Sequence, residues 1–182
     1  TKQIDQQFRM TDGLEQKHQM LEEILKDPAM DQTIIFTATK RSADELAEHL
    51  SLAGHDGGGL HGDMHQRSRT KTIAHFREGR MKILVATDVA ARGIDVLTIT
   101  HVVNFDLPRA TEDYVHRIGR TGRAGRAGVA ISFVSKRDWG MWRTLAKLAG
   151  QEVPQMQQRS SFPRKRFGAK HRPRSFHKAR RF

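Results

Sequence analysis

The sequence predicts an α/β fold, a mostly parallel β-sheet with helices on both faces. Three observations predict it. Short apolar, β-branched runs alternate along the chain with stretches whose apolar residues recur at helical spacing. The runs lack the in–out alternation of a half-exposed strand, so both their faces require burial. Strands separated by helices need crossover connections, which return the chain parallel to itself. Ligands of such sheets gather at loops beyond the strand C-termini.

Residues 4–9 read as the first strand. Asp12 followed by Glu15 predicts a helix start of the capping-box type, and Leu21, Ile24 and Leu25 mark its buried face. Pro28, with no N–H to donate, ends that helix. Residues 33–37 form a compact strand, and Ser42 with Glu45 predicts a second capping box. Leu46 and Leu50 carry this helix to Gly54. Gly57-Gly58-Gly59 is weak strand sequence, because glycine brings no side chain to pack. Residues 66–78 form a third helix, with Ile73 and Phe76 inward and Gly79 as its stop. Residues 82–86, 101–105 and 129–134 are further buried strands. Thr111 is expected to cap a helix running through Tyr114, Val115 and Ile118. Trp139, Trp142, Leu145 and Leu148 suit a final helix ending at Gly150.

At 182 residues the natural expectation is one domain plus an appendage. The boundary falls near residue 150: a folded domain over 1–150 and a basic tail over 151–182. Residues 159–182 hold ten Lys/Arg and no Asp/Glu, which leaves 1–158 with 22 basic against 20 acidic side chains. The folded part is therefore nearly neutral, and the tail carries the polyanion signal. In the tail, basic residues are interleaved with Phe162, Phe167, Phe176 and Phe182. Such a segment buries too little apolar surface to offset its ordering entropy, and suits RNA through phosphate contacts and base stacking. No cysteine is present, so no disulfide, cysteine zinc site or thiol nucleophile is available, and the expected compartment is the reducing cytoplasm. No apolar run approaches the ~20 residues of a membrane span, so no membrane partner is expected. The start, Thr1-Lys2-Gln3, has no signal-peptide layout and reads as the beginning of an excised piece.

The chemically richest stretch is His116-Arg117-Ile118-Gly119-Arg120-Thr121-Gly122-Arg123. Planar guanidinium groups bind phosphate oxygens in a bidentate fork, and glycines let a backbone approach such a ligand closely. Its upstream companions are Ile34-Ile35-Phe36-Thr37-Ala38-Thr39, Leu60-His61-Gly62-Asp63-Met64, Gln66-Arg67-Ser68-Arg69 and Ala86-Thr87-Asp88-Val89-Ala90-Ala91-Arg92-Gly93-Ile94-Asp95. These motifs follow strands or open helices, so they could share one rim.

Together they resemble the second RecA-like domain of the DEAD-box ATP-dependent RNA helicases over roughly residues 1–150. The resemblance implies a RecA-like mostly parallel sheet and an ATP site shared between two domains. Arg120 and Arg123 match arginines that reach the γ-phosphate across the cleft; being three apart, both could point the same way from one helical turn. Gly93 and Asp95 match the nucleotide-binding segment, with Asp95 on the ribose. His116 and Arg117 match interdomain contacts. Thr39, Gly62, Gln66, Arg69, Thr87 and Arg92 match positions holding one RNA strand through phosphate and 2′-hydroxyl groups, on a different edge; Arg41 is a further RNA candidate. His61 lies in a loop that the family uses for shape and RNA contact, and no cluster at metal-ligand spacing accompanies it.

The chain has no phosphate loop of the G-x-x-x-x-G-K-[ST] type and no Asp-Glu-Ala-Asp run. The resemblance therefore implies ATP with Mg2+, the metal being held by an N-terminal RecA-like domain, and no hydrolysis by this chain alone. The competing readings are half of a DNA helicase or translocase, and a non-enzymatic RNA-binding or annealing module. His116 argues against the first, since many relatives outside the DEAD-box group carry Gln there.

Overall fold

A computed structural model describes residues 3–60 and 64–153. The elements run β1 (Ile4–Met10), α1 (Leu14–Leu25), β2 (Gln32–Phe36), α2 (Lys40–Leu52), β3 (Gly57–Leu60), α3 (Gln66–Arg77) and β4 (Ile83–Ala86). They continue with α4 (Asp88–Ala91), β5 (Ile99–Asn104), α5 (Thr111–Ile118), β6 (Gly128–Val134), a 3₁₀ turn (Lys136–Asp138) and α6 (Trp139–Leu148). The six strands form one sheet in the order β1-β6-β5-β2-β4-β3, and every neighbouring pair is parallel.

Burial on both faces explains the continuous apolar runs. Ile34, Phe36, Leu84, Ala86, Val102 and Val134 point to the face covered by Phe76 of α3, Tyr114 and Ile118 of α5 and Leu145 of α6. The alternate residues Ile35, Ile83, Val85, Val103, Ile131 and Phe133 meet Leu21, Ile24 and Leu25 of α1 and Ala43, Leu46 and Leu50 of α2 on the other. Each fully buried aliphatic side chain contributes about 1.5–3 kcal/mol of transfer free energy.

Local details depart from the sequence expectations in informative ways. Helix α1 starts after Gly13 with no side-chain cap; the Asp12 N–H donates instead to the Gln16 side chain at 2.7 Å. Helix α2 begins three residues earlier than the Ser42–Glu45 box implied. Thr39 is its cap, with Ser42 as the reciprocal partner, while Glu45 pairs with Arg41 one turn back. Ala110, not Thr111, precedes α5, and Thr111 is its first residue. Leu148 is 58 % exposed and Val115 is 41 % exposed, so neither is core. The triple glycine does form β3, at the sheet edge. Small size is used there: a Cβ on Gly59 would lie 3.2 Å from Ala47 Cβ, and one on Gly58 would meet Met81 at 2.8 Å.

Candidate nucleotide and nucleic-acid surfaces

The exits of β2 and β4 lie side by side, because these strands pair through Phe36 and Ala86, and the Thr37 N–H reaches the Ala86 carbonyl at 3.0 Å. Each exit turns directly into a helix capped by threonine. Thr39 is exposed, and its hydroxyl accepts from the Ser42 N–H at 3.1 Å. Thr87 is nearly buried, and its hydroxyl accepts from the Ala90 N–H at 3.4 Å. Gln66 opens α3 in an exposed position, and Arg69 one turn on reaches the Arg92 carbonyl at 3.5 Å. Arg41 is exposed and engaged with Glu45 at 2.8 Å. Thr39, Thr87, Gln66, Arg69 and Arg92 thus gather around the C-terminal rim of the sheet. Gly62, with His61 and Asp63, lies outside the described residues.

The arginines are elsewhere, which corrects the expectation of one shared rim. The Thr121 hydroxyl donates to the carbonyl of Ile99, the first residue of β5, at 2.6 Å. Gly128, the first residue of β6, packs against Thr121. The Arg120–Arg123 turn is therefore anchored at the strand N-termini. Residues 92–98 descend from the C-terminal rim to the start of β5, so Arg92 sits at one end and Asp95 toward the other.

Helix geometry does not bring Arg120 and Arg123 together, contrary to expectation. Helix α5 ends at Ile118, Gly119 caps it, and Gly122 has φ +65°. The two guanidinium groups converge because both grip the segment after α4. Arg120 Nη1 donates to the Ile94 carbonyl at 2.5 Å, and Arg123 Nη1 pairs with Asp95 Oδ1. Burial, and then the neighbouring Arg123, hold the Arg120 pKa below the usual arginine value, with Asp95 opposing them. Arg123 keeps 37 % of its side chain exposed and Asp95 keeps 68 %, so both present polar groups to solvent. Gly93 has φ +77° and nothing within 4 Å of a built Cβ, leaving the backbone open to an approaching ligand. One bonded Nη1 leaves further Arg120 N–H donors, so this donor set fits phosphate oxygens, and the Asp95 carboxylate fits ribose hydroxyls. The Gly122 backbone serves the fold instead: a Cβ there would stand 2.6 Å from Ile4 Cγ1 of β1.

Arg117 is only 2 % exposed. Its Nε and Nη2 donate to Asp88 Oδ1 and Oδ2, each at 2.7 Å. Its Nη1 donates to the Asp106 carbonyl at 2.7 Å and to Asn104 Oδ1 at 3.2 Å, and its guanidinium lies 5.1 Å from the Phe36 ring centroid. This side chain is committed inside the domain rather than presented at its surface. His116, one residue before, is exposed. It borders a groove of about 740 Å³ between α5 and α6 that also includes Val115, Arg143, Lys147 and Leu148.

Sequence reasoning missed Asp88, Asp106 and Thr121 as parts of this framework. Asp88 stood inside a quoted motif, and its place directly after a capping threonine was the available signal. Asp106 had only the position after a buried strand and before Pro108. Among the described residues, no group of three or more His, Cys, Asp or Glu could hold a metal ion, and no helix is long and apolar enough to cross a membrane.

Comparison with known proteins agrees with this architecture. Residues 16–125 match the helicase conserved C-terminal domain family. The DEAD-box ATP-dependent RNA helicase CshA of Geobacillus kaustophilus (strain HTA426) is 45 % identical over 151 residues, which are 83 % of this chain and 32 % of that protein. The chain thus spans about a third of the length of the curated relatives it matches. The E. coli DEAD-box protein SrmB, solved bound to regulator of ribonuclease activity A, superposes with a TM-score of 0.78. It is 42 % identical, covering 84 % of this chain and 90 % of that one. S. cerevisiae Dbp5, solved bound to RNA and ADP BeF3, gives a TM-score of 0.72 at 41 % identity, covering 82 % of this chain and 40 % of that one.

Proposed function

The chain belongs to the DEAD-box RNA helicases, as their helicase C-terminal, RecA-like domain, and from that membership we propose that it supplies one wall of an interdomain ATP site and part of a single-stranded RNA surface. The observation that carries the reading is the convergence of Arg120 and Arg123 on residues 94–95, beside the open backbone of Gly93. ATP, with Mg2+ held by an N-terminal RecA-like domain of the same protein, supplies the phosphoryl group. The residues of this chain bind and orient it. Asp95 exchanges Arg123 for the ribose hydroxyls, and the released Arg123, with Arg120, faces the γ-phosphate as the two domains close. An exposed ion pair is worth about 0–1 kcal/mol, so this exchange costs little. His116 contacts the other domain directly, and Arg117 holds the framework behind it.

The same closure orders the RNA-binding rim. Thr39, Gln66, Arg69, Thr87 and Arg92, with Arg41 and Gly62, hold one strand through phosphate and 2′-hydroxyl groups, without reading bases. The strand is held in a bent path that a duplex does not follow, so the complementary strand is released. We assign the folded unit to residues 1–150 and a sequence-tolerant RNA tether to 151–182, acting in the cytoplasm.

The test uses this chain joined to an N-terminal RecA-like domain bearing the phosphate loop and Asp-Glu-Ala-Asp motif. Arg120→Ala or Arg123→Ala leaves RNA affinity near the parent value and lowers ATP turnover by ~10³ or more, as for other arginine fingers. Lysine does not rescue, because it lacks the planar fork. Parental turnover with lost RNA affinity would move that arginine to the RNA surface. Residues 1–182 alone hydrolyse no ATP above background; robust turnover would overturn the half-site reading.

A further inference from the structure

Asp106 lies where the two faces of the sheet meet at the C-terminal rim. Its N–H donates to the Phe36 carbonyl at 3.3 Å, which places it beside the exit of β2. Its Oδ2 accepts from the Ala38 N–H at 2.9 Å, within the turn that leads into Thr39. Its Oδ1 accepts from Lys17 Nζ of α1 at 3.1 Å, and Lys17 is 14 % exposed with its ammonium 5.2 Å from the Phe105 ring centroid. From the opposite face, Arg117 of α5 reaches the Asp106 carbonyl, and the same guanidinium forks onto Asp88, adjacent to Thr87. One residue therefore ties the turn before Thr39 to α1, and, through Arg117, to the turn holding Thr87.

We propose that Asp106 is a positioning residue for RNA, fixing the spacing between the Thr39 and Thr87 turns so that both meet successive backbone groups of one strand. The proposal rests on the RNA reading given above. Beyond the Thr37–Ala86 hydrogen bond at the strand exits, the two turns are free to shift relative to each other unless something crosses between them. The Asp106 carboxylate and the Arg117 fork are that crossing, and neither needs to touch RNA. Preordering both turns lowers the conformational cost of binding, so its loss appears as weaker RNA affinity with the fold retained.

The experiment is amide NMR on the full 182-residue chain, titrated with a decamer of uridylate, for the parent, Asp106→Ala and Asp106→Asn. In the parent, the RNA shifts the Thr39 and Thr87 amides, and the Ala38 amide is protected from hydrogen exchange. In Asp106→Ala, Ala38 protection is lost, and the Thr39 and Thr87 shifts saturate at RNA concentrations at least ~3-fold higher, while the spectrum of the sheet core stays in place. Asp106→Asn keeps an oxygen that accepts from Ala38 and restores most of the affinity, which a generally destabilised fold would not do. If the parent shows no shift at Thr39 and Thr87, the RNA reading fails and this proposal with it. If the parent shows both shifts and Asp106→Ala saturates at the parental concentration, the positioning role alone is overturned.

Discussion

Arg117 and Asp88 meet fork to fork, Nε on Oδ1 and Nη2 on Oδ2, both at 2.7 Å. The arginine side chain is 3 % exposed and the aspartate 38 %. Removing one member of a buried pair leaves the other charge uncompensated, at a cost of about 3–5 kcal/mol. Because Asp88 retains some water, Arg117→Ala is expected to cost about 3 kcal/mol, at the lower end of that range. Arg117→Lys recovers little, since an ammonium has three donors for the four bonds that the guanidinium makes and lacks the planar fork that grips both Asp88 oxygens. Urea unfolding of the three proteins measures this; a loss below ~0.5 kcal/mol for the alanine variant would show that the pair contributes only as a surface bridge does.

Gly122 separates a fold role from a ligand role within the arginine stretch. Alanine there must adopt φ +65° and place its Cβ 2.6 Å from Ile4 Cγ1. Gly122→Ala is therefore expected to lower stability by more than ~1 kcal/mol. Gly125→Ala, at φ +76° in open space, loses only the conformational part. Equal losses in paired thermal melts would remove β1 contact from the account.

His18 makes stability depend on pH. Its ring stacks on His49 at 3.9 Å and lies 5.5 Å from the Phe105 ring, while Glu22, which bonds His55 at 2.8 Å, is nearby. Burial first, and His49 second, hold its pKa below 6.5, with Glu22 opposing. The unfolded chain then binds the proton more readily, so stability is fully present above pH 6.5 and declines as pH falls toward the folded pKa. The thermal midpoint is expected to drop between pH 7.5 and 5.5. His18→Phe, which keeps a stacking ring without a titrating group, is expected to flatten that slope. An unchanged slope would assign the dependence to other groups.

Residues 159–182 lie outside the described structure and carry ten of the 32 basic side chains. Their removal is expected to leave the thermal midpoint near the parental value while RNA affinity falls. Each phosphate contact on a single strand contributes ~0.7 to the slope of log affinity against log salt, so five contacts would reduce it by about 3.5. Titrations with two unrelated RNAs at several salt concentrations check this. An unchanged slope would make the tail a solubilising appendage, and a loss confined to one RNA would reveal specific recognition.

Much of the architecture was legible because it rests on local pattern. The runs around Ile34, Leu84, Val102 and Ile131 announced doubly buried strands, and Leu46 and Leu50 marked the inner face of α2, since periodicity records burial directly. The family was legible from motif order. Cap positions were less so: Ser42 and Glu45 satisfied a capping pattern that Thr39 completes earlier, and only backbone direction chooses between such alternatives.

By itself, the sequence determined the α/β class, the strands and helices, the charge division near residue 158 and the order of the family motifs. The tertiary structure decided which of them meet. Arg120 and Arg123 are brought together by shared contacts on residues 94–95, not by helical spacing, and Arg117 is turned inward to bind Asp88 while His116 beside it stays exposed. Asp106 gains its place because β5 ends next to β2, residues about seventy apart in the chain. Spacing in sequence fixes direction only while a helix or strand continues. Past Gly119 it is hydrogen bonding between separate segments that fixes position, and a linear pattern carries no record of those partners.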